Sequence, residues 1–305
     1  MGNKKNIIKK PGVKTLSIHH GETFSEETGC VMPPIFSTST FKHGNKGNFD
    51  YTRSGNPNFK ILENILKSIE ESKYCTIFGS GISAVTAITS SLKSGDKILC
   101  ESNLYGCTVR MFDKIFKKFG IEVLYTDFTN KENFKEIKDF QPTLIWLESP
   151  TNPLLKVLDI KLICDEANKY KIPVVLDNTF STALIQKPLE LGATLSLIST
   201  TKFINGHSDA LGGAVLTNNE EWNSKMLFSQ KALGLQPSPF DSWLITRGVK
   251  TLPLRIEQQT KSAEIISKEI ENHRIVGKVF YPFNQKHPQF NLAKSQMKSG
   301  GSMIT

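Results

Sequence analysis

The sequence predicts an α/β fold in which helices cover both faces of a mainly parallel sheet. Three observations predict it. Short apolar segments alternate with stretches whose apolar residues recur every three or four positions, as strands alternate with helices. The apolar segments contain few polar residues, which is typical of strands buried on both faces. Several of them end in polar clusters, and open sheets of this kind bind ligands beyond the carboxyl ends of their strands.

Between residues 58 and 216, seven strands and five helices are predicted in chain order. The apolar segments expected to form strands are residues 75–78, 98–100, 123–125, 144–147, 174–176, 195–198 and 213–216. The helical patterns lie at residues 58–69, 80–92, 109–119, 131–139 and 160–170. The helix at 80–92 is rich in small residues, and the one at 109–119 places phenylalanines on one face.

Changes of pattern divide the chain into three parts. Residues 1–50 are rich in Pro and Gly and predict an extended N-terminal arm whose apolar side chains pack on another surface, another subunit being one candidate. Residues 51–245 predict the α/β domain. Residues 246–305 predict the start of a C-terminal α+β domain, with a helix at 247–273 kinked at Pro253 and strands at 278–281 and 300–305.

Composition excludes several other classes of protein. The 305 residues carry a net charge of +9, but the lysines are spread over helix surfaces, without the basic stripe and stacking aromatics of a nucleic-acid interface. The hydrophobic content is 38%, and no apolar run approaches the roughly 18 residues of a membrane span. The five cysteines lack metal-ligand spacing, so no metal site is expected, and reduced thiols in a cytoplasmic protein are predicted.

A lysine and an aspartate at two strand ends carry the functional prediction. Lys202 follows the strand 195–198 and a run of hydroxyl residues, and partial desolvation there would favour its neutral amine. Asp177 ends the strand before it. Pyridoxal phosphate (PLP) needs this pair, an amine for its aldehyde and an acid beside its pyridine nitrogen. Taken singly, each residue is better explained by a solvated loop or a helix cap, whereas the conjunction favours the cofactor.

Other segments supply candidate cofactor contacts. Gly81 lies between a strand and a helix, where backbone N–H groups can bind a phosphate. Tyr105 can stack on a planar ring, and Asn152 can bond the phenolic oxygen of the cofactor. The pair Tyr51 and Arg53 suits a phosphate. Each segment is also compatible with an ordinary turn or helix start.

The segment 199–209, with the residues above, resembles a signature of the PLP-dependent enzymes of cysteine and methionine metabolism, a branch of the type I aminotransferase fold. The family includes cystathionine γ-synthases, γ-lyases and β-lyases, methionine γ-lyases and O-acylhomoserine sulfhydrylases. The resemblance covers nearly the whole chain. It implies an α/β fold of that type and PLP as the cofactor.

The resemblance also implies residue roles. Lys202 resembles the Schiff-base lysine that moves protons, Asp177 the partner of the pyridine nitrogen, and Tyr105 the ring-stacking tyrosine. The phosphate would be held by the N–H groups of Gly81 and Ile82 with the hydroxyls of Ser199 and Thr201. Tyr51 and Arg53 resemble the pair that reaches the phosphate of a neighbouring subunit, which implies an obligatory dimer and usually a tetramer.

The particular reaction rests on finer resemblances. Residues 150–160 and 240–248 look most like bacterial cystathionine γ-synthases, and Asp50 is placed to meet the distal amine of cystathionine or of incoming cysteine. Cys107 instead resembles methionine γ-lyases. The favoured hypothesis is γ-replacement, which forms cystathionine from cysteine and an O-acylhomoserine, with O-succinylhomoserine the expected donor. The alternatives are a cystathionine or methionine γ-lyase, an O-acylhomoserine sulfhydrylase, or a catalytically impaired truncated homologue.

Members of the resembled family continue beyond the length of this chain. Their arginine for the substrate α-carboxylate lies in that later part, so no residue here is assigned to the role. A truncated chain with an incomplete C-terminal domain is therefore expected, and a non-catalytic remnant stays a hypothesis beside the enzyme.

Overall fold

A computed structural model describes residues 11–20 and 29–305, and its centre is a seven-stranded sheet. The strands are β1 Tyr74–Phe78, β2 Lys97–Glu101, β3 Glu122–Thr126, β4 Leu144–Glu148, β5 Val174–Asp177, β6 Leu195–Ile198 and β7 Gly213–Thr217. Each of the seven strands predicted between residues 75 and 216 is present, usually one or two residues longer than its apolar core.

The order of strands across the sheet is β1-β7-β6-β5-β4-β2-β3. The five strands from β6 to β3 pair in parallel, and β7 runs antiparallel to both of its neighbours, β6 and β1. The prediction of a mainly parallel sheet is therefore confirmed. Because every strand except β7 points the same way, six carboxyl ends meet along one edge.

Helices cover both faces of this sheet. They are α1 Val13–His19, α2 Pro57–Glu70, α3 Gly81–Thr89, α4 Gly106–Lys114, α5 Lys135–Phe140, α6 Ile160–Lys169, α7 Thr182–Ile185, α8 Glu220–Ala232, α9 Pro239–Val249, α10 Leu252–Glu271 and α11 Phe290–Gln296. Successive strand residues face opposite sides. Ile77 packs with α2 and α9, whereas the next residue, Phe78, packs with α3, α4 and α8.

The arm and the C-terminal part differ in detail from the sequence prediction. The described part of the arm contains the short helix α1 as well as extended chain, and residues 1–10 and 21–28 lie outside the described residues. Pro253 does not kink a helix but lies in the first turn of α10, where its missing N–H leaves no intrahelical bond unmade. The predicted boundary between residues 245 and 246 falls inside α9, which ends at Val249 with Lys250 as its C-cap. The division into domains stays a prediction.

The two strands predicted after residue 277 are not regular strands. Residues 278–281 and 300–305 are irregular, but Phe280 and Thr305 exchange two backbone hydrogen bonds, of 2.7 and 3.1 Å. The predicted strands therefore reduce to one pairing of two residues. Across residues 11–20 and 29–305, no helix combines the length and apolar character that crossing a membrane requires.

Candidate active site

A cavity of about 1120 Å³ lies at the edge where the carboxyl ends of the strands meet. Most of the predicted site residues line it, although they are far apart in sequence. Those that the structure brings together here are Gly81, Ile82, Tyr105, Asn152, Asp177, Ser199, Thr201 and Lys202.

The N-terminus of α3 forms one wall of the cavity and suits a phosphate. Ser80 caps the helix by accepting the N–H of Ser83 at 3.0 Å, whereas the N–H groups of Gly81 and Ile82 belong to the first turn and have no partner within the helix. A Cβ added to Gly81 would lie 2.9 Å from the Cβ of Ser199. The glycine therefore lets the helix N-terminus and the Ser199 hydroxyl share one small space, where the helix dipole favours an anion.

The two predicted hydroxyl ligands differ in their surroundings. Thr201 Oγ1 donates to the carbonyl of Gly212 at 3.1 Å and accepts the N–H of Gly212 at 3.0 Å, so it already shapes the turn before β7. The N–H of Ser199 donates to Thr179 Oγ1 at 2.9 Å. To donate to a phosphate, Thr201 has to exchange its bond to Gly212.

Asp177 ends β5 at the floor of the cavity. The N–H of Thr179 donates to Asp177 Oδ1 at 3.0 Å, and the Thr179 hydroxyl bonds the same carboxyl group. Burial raises the pKa of Asp177 even though the bonds from Thr179 oppose the shift. Sequence reasoning missed Thr179, which links Asp177 to Ser199 and lines the cavity itself.

Glu148 is a second carboxylate at this floor that sequence reasoning also missed. It ends β4 directly opposite Asp177 in the strand register and is 6% exposed. Its Oε2 accepts the N–H of Tyr105 at 2.7 Å, and its Oε1 accepts the N–H of Asn152 at 2.8 Å. Burial, and then the charge of Asp177, raise the pKa of Glu148. Its position at a strand end, like that of Asp177, is the sequence signal that could have identified it.

Lys202 projects from the turn after β6. The N–H of Gly206 donates to the Lys202 carbonyl at 2.8 Å, and the Arg255 guanidinium donates to the carbonyls of Phe203 and Ile204 at 2.7 and 3.1 Å. These bonds fix the backbone on which Lys202 is carried. The Lys202 side chain is exposed, so the desolvation expected from the sequence is not seen, because the cavity above it is open.

Tyr105 lies at the start of α4 and is 40% exposed, with its ring on the cavity. A hydrogen bond with Cys107, and then burial, raise the pKa of the Tyr105 hydroxyl. The hydroxyl therefore stays protonated at neutral pH, and the exposed ring is available for stacking.

Three predicted residues lie outside this cavity. Asp50, Tyr51 and Arg53 are exposed, and the Arg53 guanidinium lies 5.4 Å from the centre of the Tyr51 ring. Arg53 donates to the carbonyl of Lys231 at 2.9 Å. Within one chain, none of the three lines the cavity that holds Lys202.

The fold and this site define a class of protein. The family model described as Cys/Met metabolism PLP-dependent enzyme matches residues 14–305, and the chain belongs to that family. Its cofactor is PLP. The described residues fit this cofactor, since a helix N-terminus, a lysine and a carboxylate converge on one cavity.

The names of individual relatives state different activities. The chain is 40% identical to a probable cystathionine γ-synthase of Herpetosiphon aurantiacus, over 96% of this chain and 93% of the relative. It is equally 40% identical to a cystathionine γ-lyase of Dictyostelium discoideum, over 96% and 76%. The structure of cystathionine γ-synthase from Xanthomonas oryzae pv. oryzae in complex with aminoacrylate and cysteine matches with a TM-score of 0.93 and 35% identity, over 97% of this chain and 77% of that one. The chain is thus a PLP-dependent enzyme of the cystathionine synthase and lyase type.

Proposed function

We propose that this enzyme catalyses γ-replacement and joins cysteine to an O-acylhomoserine, with O-succinylhomoserine the expected donor, to form cystathionine. The observation that carries the proposal is the convergence of Lys202, Asp177 and the α3 N-terminus on one cavity. At about 1120 Å³, this cavity exceeds the usual range of ligand pockets, about 300–1,000 Å³, and has room for a cofactor and amino-acid substrates together. The likeness of residues 150–160 and 240–248 to synthases supports this reaction over the others.

Each residue has a defined task in this reaction. When bound, PLP withdraws electrons from the bonds at the substrate Cα. Asp177 would pair with the pyridine nitrogen of the bound cofactor and keep that nitrogen protonated. Lys202 Nζ takes the proton from Cα and then one from Cβ, which allows the γ-acyloxy group to leave, and returns protons after the cysteine thiolate has added to Cγ.

The remaining walls orient the cofactor. The N–H groups of Gly81 and Ile82, with the hydroxyls of Ser199 and Thr201, would hold the phosphate. Tyr105 would stack on the ring and assist a proton transfer, and Asn152 would bond the phenolic oxygen. These assignments rest on the cavity lining and on the family resemblance.

The proposal includes a site shared between subunits. Tyr51 and Arg53 would reach the phosphate of a neighbouring subunit, and Asp50 would meet the distal amine there. All three residues are exposed and none of them lines the cavity of its own chain, which supports this arrangement. A homodimer, or a homotetramer built from two dimers, follows from it, with the arm packed across the interface. We also place the enzyme in the cytoplasm, where the buried thiols of Cys75 and Cys100, whose pKa burial raises, would stay reduced.

A second candidate function is γ-elimination from cystathionine or methionine. The position of Cys107 favours it, because α4 places this thiol two residues after Tyr105, as in the methionine γ-lyases that this segment resembles. O-acylhomoserine sulfhydrylation and a catalytically impaired homologue stay alternatives. No arginine is assigned to the substrate carboxylate, since Arg255 already holds backbone carbonyls.

One assay separates these functions. The enzyme with added PLP is incubated with O-succinylhomoserine and cysteine, and separately with cystathionine or methionine alone, and the products are measured. Synthase activity predicts cystathionine in the first reaction at a rate well above breakdown in the second. If cystathionine or methionine were broken down in the second reaction while no cystathionine formed in the first, the proposal would be contradicted and the lyase favoured.

A further inference from the structure

We propose that Glu148 is a positioning residue that sets the relative placement of Tyr105 and Asn152 around the bound cofactor, an inference that rests on the proposed function. Glu148 belongs to neither of the segments that it holds. It sits at the end of β4. One of the two backbone N–H groups that it accepts comes from Tyr105, at the N-cap of α4, and the other comes from Asn152, in the loop that follows β4.

The geometry gives each carboxylate oxygen one task. Oε2 accepts the N–H of Tyr105, which follows β2, and Oε1 accepts the N–H of Asn152, which follows β4. A carboxylate is a rigid planar group, so the distance between the two bonded N–H groups is set by a single side chain. The ring predicted to stack on the cofactor and the amide predicted to bond its phenolic oxygen are therefore placed relative to each other by Glu148.

The loop that contains Asn152 is held by other hydrogen bonds as well. The contribution specific to Glu148 is therefore its bond to the N–H of Tyr105. Thr151 Oγ1 donates to Asn103 Oδ1 at 2.6 Å, and the N–H of Lys156 donates to Thr151 Oγ1 at 3.0 Å. The first bond ties the loop to Asn103, in the segment after β2 that leads to Tyr105, and the second lies within the loop itself. The bond from Glu148 Oε2 alone reaches the N–H at the residue whose ring faces the cavity.

The location of Glu148 argues against a role in stability alone. Glu148 lines the cavity and stands opposite Asp177 in the strand register. Retaining two buried carboxylates side by side costs free energy, because like charges repel in a poorly hydrated site. A neutral side chain would avoid that cost, but it would not present two acceptor oxygens to two N–H groups.

Glu101 provides a matched control. It ends the neighbouring strand β2, is completely buried, and likewise accepts two backbone N–H groups, those of Asn103 and Phe128, each at 3.0 Å. It does not line the cavity. The change Glu101→Gln is therefore the same chemical change in the same kind of environment, without a direct hydrogen bond to Tyr105 or Asn152.

The experiment compares Glu148→Gln with Glu101→Gln in the full chain. A glutamine keeps one acceptor oxygen but turns an NH₂ group toward the second N–H. Two quantities are measured, the dissociation constant of PLP and the visible circular dichroism per bound PLP, which reports the asymmetry of the ring's surroundings. For E148Q, we expect a dissociation constant about tenfold higher, equivalent to about 1.4 kcal/mol, and an altered dichroic band.

The control and a second variant make the outcome decisive. E101Q is expected to lower the melting temperature while keeping the dissociation constant and dichroism of the unchanged protein. Should E148Q fail to fold, Glu148→Asp carries the test, because its shorter carboxylate cannot reach both N–H groups and should change the same two quantities. Wild-type values in the folded Glu148 variant would overturn the inference, as would equal changes in E101Q. If the unchanged protein itself took up no PLP, the proposed function would fail instead.

Discussion

Gly81 illustrates how a single missing methyl group permits a binding site. Its neighbours leave no room for a side chain, since an added Cβ would meet Ser199 at 2.9 Å. The same residue contributes a first-turn N–H at the N-terminus of α3. Close approach and an available donor thus occur at one position, which is what a phosphate bound to a helix N-terminus requires.

The first prediction concerns this residue. Gly81→Ala should push Ser199 away from α3 and raise the dissociation constant of PLP by roughly tenfold or more, since one charge-assisted contact is worth about 1.5–3 kcal/mol. Titration followed by visible absorbance measures it.

Gly106→Ala is the matched control for that measurement. Gly106 is also the first residue of a helix, α4, but an added Cβ there meets nothing within 4 Å. Its PLP affinity should be unchanged. Equal affinities for the two variants would contradict the crowding argument.

At the level of elements, α2 is unusual because it holds two carboxylates in poorly hydrated surroundings. It begins with Asn56 as its cap and Pro57 in its first turn, and its apolar face packs under the sheet. It also carries two carboxylates, Glu70, which is buried, and Glu63, which is half-buried. Burial raises the pKa of Glu63 to about 7 and that of Glu70 to about 8, and nearby lysines only partly oppose these shifts.

The second prediction is a pH-dependent stability that originates in α2. Below pH about 4.5, the Glu70 carboxyl is protonated in both the folded and the unfolded chain. Between pH 4.5 and 8 the unfolded chain loses this proton while the folded chain keeps it, so the free energy of unfolding falls as pH rises through that interval. Glu63 acts in the same direction up to pH about 7.

Glu70→Gln should remove the larger part of this fall in the free energy of unfolding with rising pH. At pH 9 the variant should be more stable than the unchanged protein, by on the order of a few kcal/mol, and at pH 5 the two should be similar. Urea unfolding at the two pH values measures the difference. The exposed Glu221→Gln change in α8 serves as the control and should have little effect at either pH. If the free energy of unfolding of E70Q depended on pH as strongly as that of the unchanged protein, this explanation would be refuted.

The strands were predictable from the sequence because burial on both faces leaves a continuous apolar signal. Helix α8 was not predicted, because its apolar residues do not keep to one face. Trp222 and Met226 are buried, whereas Leu227 and Phe228 are exposed. In the site, Lys202 and Asp177 could be predicted from their places at strand ends. Glu148 and Thr179 were missed, since their importance lies in hydrogen bonds made across the fold.

At the level of the whole molecule, the chain shares its fold with relatives named as synthases and with relatives named as lyases. The same sheet, helices and cavity support names of synthase and lyase at equal identity. Overall fold and sequence identity therefore do not separate the two reactions for this chain. Tyr51 and Arg53 are exposed and do not line the cavity of their own chain, and under the proposed shared site they are the residues that a second copy would contribute.

The third prediction tests this sharing of the site. Arg53→Ala and Lys202→Ala should each be nearly inactive alone. If Arg53 serves the neighbouring subunit, a mixed dimer contains one site with an intact lysine and an intact arginine, and unfolding and refolding equal amounts together should restore about a quarter of the activity. Mixing two samples of the same variant is the control. No recovery in mixed dimers would place Arg53 in the site of its own chain.

The central claim is that Lys202 is the residue to which PLP attaches, and one chemical measurement tests it most directly. The protein is incubated with PLP, treated with borohydride to make the attachment permanent, digested, and mapped by mass spectrometry. We predict a single pyridoxyl group, on the peptide that contains Lys202, and none in Lys202→Ala. A label on another lysine, or no label at all, would contradict the account.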